Sequence, residues 1–462
     1  MSKLMTKRLI LLPLLLLTMQ VAWAEKVAQA LVLSDHTMYF IFDEPVSVGS
    51  TYKGQTVSQV WSGDDVIVYP EWENKDIATP STRVVFDPSF AVVRPTSCKY
   101  WFLNFFSLSV IEGLQYLNTS EVTSMYNMFA NCSSLTTLDV TTFDTRQVTD
   151  MGGMFQGCSS LTTLNLGSFN IANVKITSSM FEGCSNLTTI YVNSLWTTDH
   201  VETKADMFKG CGTSTLTTIL VLDPTADQTA VLESSNNKTF PVMLSGRTLY
   251  KDGSWNTLCL PFNVTINNNS PLGGDGVVAM TLNTNTSSLT NGTLTLNFTE
   301  QTNATIPAGT PFIIKWSSGN DIINPTFAPV LISNATHDVT VPNVLTFKGT
   351  YAPVSITATN GDNTKLYLGS ANTLYWPDAP MTIANNRAYF QLADGITAGQ
   401  PTTNNPVRAF VLNFDNSPST AVTPAAATPS SSAWFTLDGR PLISRPTIPG
   451  IYIHAGKKIK AP

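Results

Sequence analysis

The chain has 462 residues, too many for one ordinary hydrophobic core, so two to four domains are expected. Only 13% of residues are charged while Thr, Ser and Asn abound, a composition that suits extracellular β-structure better than a cytosolic enzyme. The formal charge of −6 argues against nucleic acid as a partner, because phosphate binding needs clustered Lys and Arg.

Residues 1–24 read as a secretory signal peptide. Lys3, Lys7 and Arg8 form its basic region, Leu9 to Leu17 its apolar core, and Ala22-Trp23-Ala24 its cleavage site. The apolar run is too short for a membrane-spanning helix. Cleavage would remove cations and no acids, so the mature chain is more acidic still. No Cys follows the cleavage site, so a lipoprotein anchor is not supported, and no second apolar run of spanning length occurs. The expected location is secreted or at the cell surface.

Residues 25–100 read as an N-terminal β cap. Its strands are Ala30 to Leu33, Met38 to Phe42, Val57 to Trp61, Val66 to Tyr69 and Arg83 to Phe86, with turn signals at Gly63-Asp64-Asp65 and Asp87-Pro88.

Residues 101–222 are a tandem repeat. Met128-Phe129-Ala130-Asn131-Cys132-Ser133-Ser134-Leu135 returns as Met154-Phe155-Gln156-Gly157-Cys158-Ser159-Ser160-Leu161 and as Met180-Phe181-Glu182-Gly183-Cys184-Ser185-Asn186-Leu187. A looser copy starts at Met207-Phe208-Lys209-Gly210-Cys211, and Trp101 to Leu108 aligns as an older copy, 27 residues ahead of the second. Periods of 26 to 27 residues over about five units mark a solenoid, whose units bury their apolar faces against one another. Leu135-Thr136-Thr137-Leu138-Asp139-Val140 is an L-x-x-L-x-L strand. Its expected counterparts begin at Leu161, Leu187 and Leu216. The apolar positions face inward and the x positions outward, since side chains alternate along a strand. The Met-Phe-x-x-Cys half suits a short helix or turn on the opposite side.

Residues 223–239 read as a polar connector. Residues 240–415 read as a β-sandwich-like module, with alternating strands such as Thr293 to Phe298, Pro311 to Trp316 and Arg408 to Leu412 at roughly ten-residue spacing. Residues 416–432 are a Pro/Ser/Thr/Ala linker, and 433–462 a small tail in which two short strands fit. The expected fold is therefore mainly β: a short leucine-rich-repeat solenoid with an N-terminal β cap, then the sandwich-like module and the β tail.

The octet Met-Phe-x-Gly-Cys-Ser-x-Leu followed by Thr-Thr-Leu resembles the BspA-like leucine-rich-repeat surface proteins of the Bacteroidales. Val84 to Phe90 and Tyr116 to Val122 look like that family's lead-in, so the resemblance covers Lys26 to Leu222. Trp255-Asn256-Thr257-Leu258-Cys259-Leu260-Pro261-Phe262 is similar to β-rich modules of the same secreted proteins. The tail resembles their C-terminal sorting elements through Leu437-Asp438-Gly439-Arg440 and Gly450-Ile451-Tyr452. The resemblance implies an adhesin that engages host proteins, extracellular matrix or other bacteria. The family's arrays are often longer than the one here.

Catalytic, metal and cofactor residues are not expected. Cys132, Cys158, Cys184 and Cys211 hold one slot in successive coils, and Phe105 holds it in the first, so a buried thiol stack is the favoured reading. Disulfide pairing stays open, because stacked Cα atoms lie about 5 Å apart. No C-x₂-C spacing supports a zinc site. Cys98 and Cys259 lie outside the ladder, and Cys259 reads as a strand residue between Leu258 and Leu260. The four His, at 36, 200, 337 and 454, sit apart, and no nucleophile elbow or phosphate-binding loop occurs. The pairs Asp64/Asp65 and Glu71/Glu73 read as solvated surface rather than a glycosidase pair. Trp255, Trp316 and Trp376 read as packing rather than sugar platforms.

That leaves the outward columns of the repeat strands as the candidate binding site. One column is Thr137, Thr163, Thr189 and Thr218, and the other is Asp139, Asn165, Tyr191 and Leu220. The second is chemically more varied. The expected partner is a protein, with a glycan bound by residues 240–415 as the alternative.

Overall fold

A computed structural model describes residues 26–414, apart from 64–65, 67–69, 71–80, 269, 357–361, 370–371, 378–379, 399–405 and 408, together with the strand residues between Trp434 and Ala461. The expected signal peptide and linker 416–432, residues 67–69 of the expected strand at Val66 to Tyr69, and the four acids from Asp64 to Glu73 fall outside the described residues. The fold is mainly β, built from many small sheets, none of them closed into a barrel.

The first described residues belong to a six-stranded sheet. Strands β1 (Val27–Leu33) and β2 (Thr37–Asp43) form a hairpin, with β3 (Thr51–Tyr52) and β4 (Gln55–Ser62) beside β1. On the other side β5 (Arg83–Phe86) and β6 (Val110–Glu112) follow β2 in parallel. β1 reads as a nearly unbroken apolar run because both its faces are covered. Leu31 and Leu33 join Ile41 and Val57 on one side, while Ala28, Ala30 and Val32 enter the main core on the other. Phe40 stacks on Phe86 at 4.5 Å and on Trp101 at 5.3 Å, so cap and repeat share one aromatic centre.

That core runs without a break from Ala28 to Met207. The expected border at residue 100 is therefore not a border of the core. Arg83 pairs with Val110 and Val84 with Ile111, a spacing of one repeat. The series of stacked coils thus opens at β5, inside the stretch read as cap.

Farther along, β7 (Thr163–Leu166), β8 (Thr189–Val192) and β9 (Leu216–Thr218) pair in parallel, one strand per coil. The opposite half of each coil is a run of tight turns rather than a helix. Each coil puts two residues into the left-handed region there: Asn127 and Asn131, Gly153 and Gly157, Ser179 and Gly183, Asp206 and Gly210. The turns are stitched from coil to coil by main-chain bonds, among them Phe129 N–H to Met154 O at 2.9 Å and Phe155 N–H to Met180 O at 3.0 Å.

After the repeat, β10 (Leu220–Leu222) pairs in parallel with β11 (Thr239–Leu244), which pairs antiparallel with Thr326–Leu331. The segment expected to be a plain connector carries a helix, Thr229–Ser235, that buries Leu232. Beyond it, two larger sheets face each other. One contains Val278–Leu282, Thr293–Glu300 and Pro311–Lys315, with Ala409–Phe414 joining in parallel. The other contains Leu345–Gly349, Ala388–Leu392 and Lys365–Leu368. Leu294, Leu296 and Ile313 from the first meet Phe347, Leu366 and Phe390 from the second in a shared core. The tail has four strands rather than two: Trp434–Thr436, Pro441–Leu442, Gly450–His454 and Lys457–Ala461 form one antiparallel sheet.

Candidate functional site

The conspicuous residues of the repeat are interior. Phe102, Phe129, Phe155, Phe181 and Phe208 stack ring on ring at 5.3 to 5.9 Å. All six cysteines are free thiols, and all but Cys211 are buried. Each middle thiol donates to a carbonyl of the coil before it: Cys132 to Phe102 O at 3.2 Å, Cys158 to Phe129 O at 3.1 Å and Cys184 to Phe155 O at 3.0 Å. Burial pushes the Cys184 thiol up to about 12, with Cys211 adding to the rise. Cys259 is likewise raised to about 12 by burial, and beside it the Tyr351 hydroxyl donates to Leu260 O at 3.1 Å. A thiol held neutral is no nucleophile at neutral pH. The described residues contain no cluster of His, Cys, Asp or Glu able to hold a metal. Trp255 and Trp316 are buried, as packing residues should be.

The outward strand positions divide into three groups. Thr137 and Thr163 are exposed and Thr189 is half-buried, one above the other. Asp139 is exposed, and its Oδ1 accepts from the main-chain N–H and the hydroxyl of Thr141 at 3.0 and 2.6 Å, closing a local turn. Tyr191 is half-buried beside Asn165.

The last unit does not follow the expected register. Tyr191 pairs with Thr217 rather than Leu220, and Thr218 pairs with Val192. Gly212-Thr213-Ser214 replaces the Ser-x-Leu step after Cys211, and Leu216 takes the inward slot opposite Ile190. The Thr column therefore ends at Thr215, three residues before Thr218. Leu220 is not on the face at all: it is buried in the core of the second module.

Asn165 is covered too. Its Nδ2 donates to the Thr326 hydroxyl at 3.0 Å, and Met243 Sδ lies 3.5 Å away, so both neighbours come from the module after the repeat. Next to it Gly167 leaves room for that module: a Cβ there would stand 2.8 Å from Ile219 and 3.1 Å from Met243. Asn324, buried and left-handed, completes the junction. It donates to Thr141 O and Thr141 Oγ1, both at 3.0 Å, and accepts from Gly246 N–H at 2.7 Å.

The open part of the face thus runs toward the N-terminal end. It includes two residues that the repeat alignment missed. Arg83 stands one coil before Val110 in the Thr column, and Glu112 pairs with Val85 in the next column. Arg83 grips Glu112 with two bonds, at 3.0 and 2.6 Å. Val84 and Ile111, one repeat apart and one repeat ahead of Leu138, were the signal that would have found them.

Among the described residues, recesses outside the repeat include the following pair. One, of about 470 Å³, is lined by Asn267, Asn268, Gly276, Val277, Thr302 and Asn303. The other, of about 440 Å³, is lined by Thr229, Leu232, Glu233, Asn334, Thr336, Tyr351 and Ala352.

Residues 96–218 match a family model described as "Mycoplasma protein of unknown function, DUF285". No curated protein and no solved structure matches the chain.

Proposed function

We propose that this chain is a secreted or surface-held adhesin of the leucine-rich-repeat kind. It works without catalysis, binding a host, matrix or bacterial surface protein through the open part of the repeat strand face. The observation that carries this reading is a division of labour. The reactive residue types of the repeat are interior, whereas Thr137, Asp139 and Thr163 are left exposed in register across successive coils. Solenoids present such columns to protein partners. The binding set is Thr137, Asp139, Thr163, Thr189 and Tyr191, without Leu220, Thr218 or Asn165. On the same reading residues 1–24 export the chain and residues 433–462 direct it to the surface. The test is capture of the purified chain on immobilised matrix proteins and on whole bacteria. Capture that resists substitution of those five residues would count against the face.

A second reading has one observation in its favour. The recess lined by Asn267, Asn268, Thr302 and Asn303 offers side-chain amides of the kind that bind sugar hydroxyls. A glycan array separates the two: signal there, with no protein captured, would move the function to residues 240–415.

A further inference from the structure

In one stretch of each coil the stitching is polar in one direction, although groups outside that stretch, such as Lys175 N–H to Thr149 O at 2.8 Å, point the other way. In the turn half of each coil, four alternate N–H groups donate to the next coil: Thr177 to Thr203 O, Ser179 to Ala205 O, Phe181 to Met207 O and Gly183 to Lys209 O, at 2.8 to 2.9 Å. The preceding junctions repeat the same sense, as in Met151, Gly153, Phe155 and Gly157. A parallel β ladder alternates donors and acceptors; this one does not. Its peptide dipoles therefore add, as in a helix, with the positive end at the last coil.

The last coil carries the equivalent donors at Lys204, Asp206, Phe208 and Gly210. Among the described residues none accepts from these four N–H groups. Lys204, Asp206 and Gly210 are exposed and Phe208 is half-buried. The side chains of this end are also less covered than those one coil earlier: Phe208, Cys211 and Leu216 are half-buried, whereas Phe181, Cys184 and Ile190 are fully buried.

We propose that this end of the stack is a docking edge for an acidic polypeptide segment of a partner protein. The polarity of the edge selects the occupant. A second copy meeting it tail to tail brings donors against donors. One stacked head to tail would protect the row in the absence of any probe, seen as exchange at 203–211 that slows with protein concentration, and that result would overturn the proposal. A β-strand edge brings N–H groups along with its carbonyls, so it cannot serve the whole row. Carboxylates bring acceptors alone, and rows of main-chain N–H groups are anion sites. Lys204 adds a cation at the edge, its Nζ donating to Thr198 O at 3.0 Å, while Lys209 is shared by Glu182 at 3.2 Å and Asp206 at 3.7 Å. The half-buried Phe208 and Leu216 offer apolar contact beside the row. This edge is separate from the strand face, so the two stand or fall apart.

The test is hydrogen–deuterium exchange of the full chain with poly-L-glutamate as the probe. Segments covering 203–211 are expected to exchange at least about fivefold more slowly with the probe, with no change at 177–183. The variant Lys204→Glu should lose most of that protection, and Lys238→Glu, in the second module, should keep it. Unchanged exchange at 203–211, equal protection by poly-L-lysine, or full protection in the Lys204→Glu variant would overturn the proposal. So would protection by polygalacturonate alone, which would make the occupant a glycan.

Discussion

Cys132, Cys158 and Cys184 each fill a buried slot of the ladder and also donate a hydrogen bond to a Phe carbonyl one coil back. A cysteine therefore does there what neither Ala nor Val can. This arrangement has a pH signature. In the unfolded chain a thiol ionises near its ordinary value of 9.0, but Cys184 and Cys259 hold their protons to about 12. Between those values the folded state binds more protons than the unfolded one, so stability falls as pH rises. The slope reaches about 1.4 kcal/mol per pH unit for each such thiol. Thermal melts from pH 7 to 10.5 should show this decline, and Cys184→Val should make it shallower; an unaltered slope would contradict the ladder's part in it. Alkylation by iodoacetamide of the native protein should modify Cys211 ahead of Cys132, Cys158 and Cys184, read by peptide mass spectrometry. The buried slot was legible in the sequence, because Phe105 occupies it in the first unit. The S–H to carbonyl bond was not, since it depends on how far one coil sits above the next.

Turns and strands within a coil obey different controls. In the turn half, Asn131 leans over the next coil, where Gly157 takes its place. A Cβ at Gly157 would stand 2.3 Å from Asn131 Oδ1, at a φ of +70°. Gly157→Ala should cost about 1–3 kcal/mol, measured by urea unfolding, and a neutral result would show that the turn relaxes freely. In the strand half, the inward leucines set the register. Composition alone could not reveal that the last unit drops its first leucine, so the repeat alignment ran three residues long and put Leu220 on the surface. The strand at Arg83–Phe86 was identified, but its membership in the coil series was hidden because it lacks the Met-Phe-x-x-Cys half. At the junction Asn324 ties two elements distant in sequence, which no local pattern can announce. Asn324→Ala should cost about 3 kcal/mol, through the lost buried bonds and the left-handed backbone. The same variant should speed proteolysis between the repeat and the second module; unchanged cleavage there would argue against Asn324 as the tie.

The fold as a whole places one continuous core from Ala28 to Met207 beside a second module with buried clusters of its own. The mainly β character and the repeat period followed from the sequence, because local alternation and a fixed spacing carry them. The covering of Asn165 and Thr141 did not, because it arises from residues more than 150 positions away. That covering takes Asn165 out of the binding proposal and leaves Thr137, Asp139, Thr163, Thr189 and Tyr191. The most direct test is one variant carrying Asp139→Ala, Thr163→Arg and Tyr191→Ala, assayed for capture on immobilised matrix proteins and bacteria alongside the unaltered chain. The expected result is binding by the unaltered chain and a loss of at least about tenfold in the variant, with a melting temperature within about 4 °C. Equal binding by both chains, or none by the unaltered one, would contradict the assignment of function to this face.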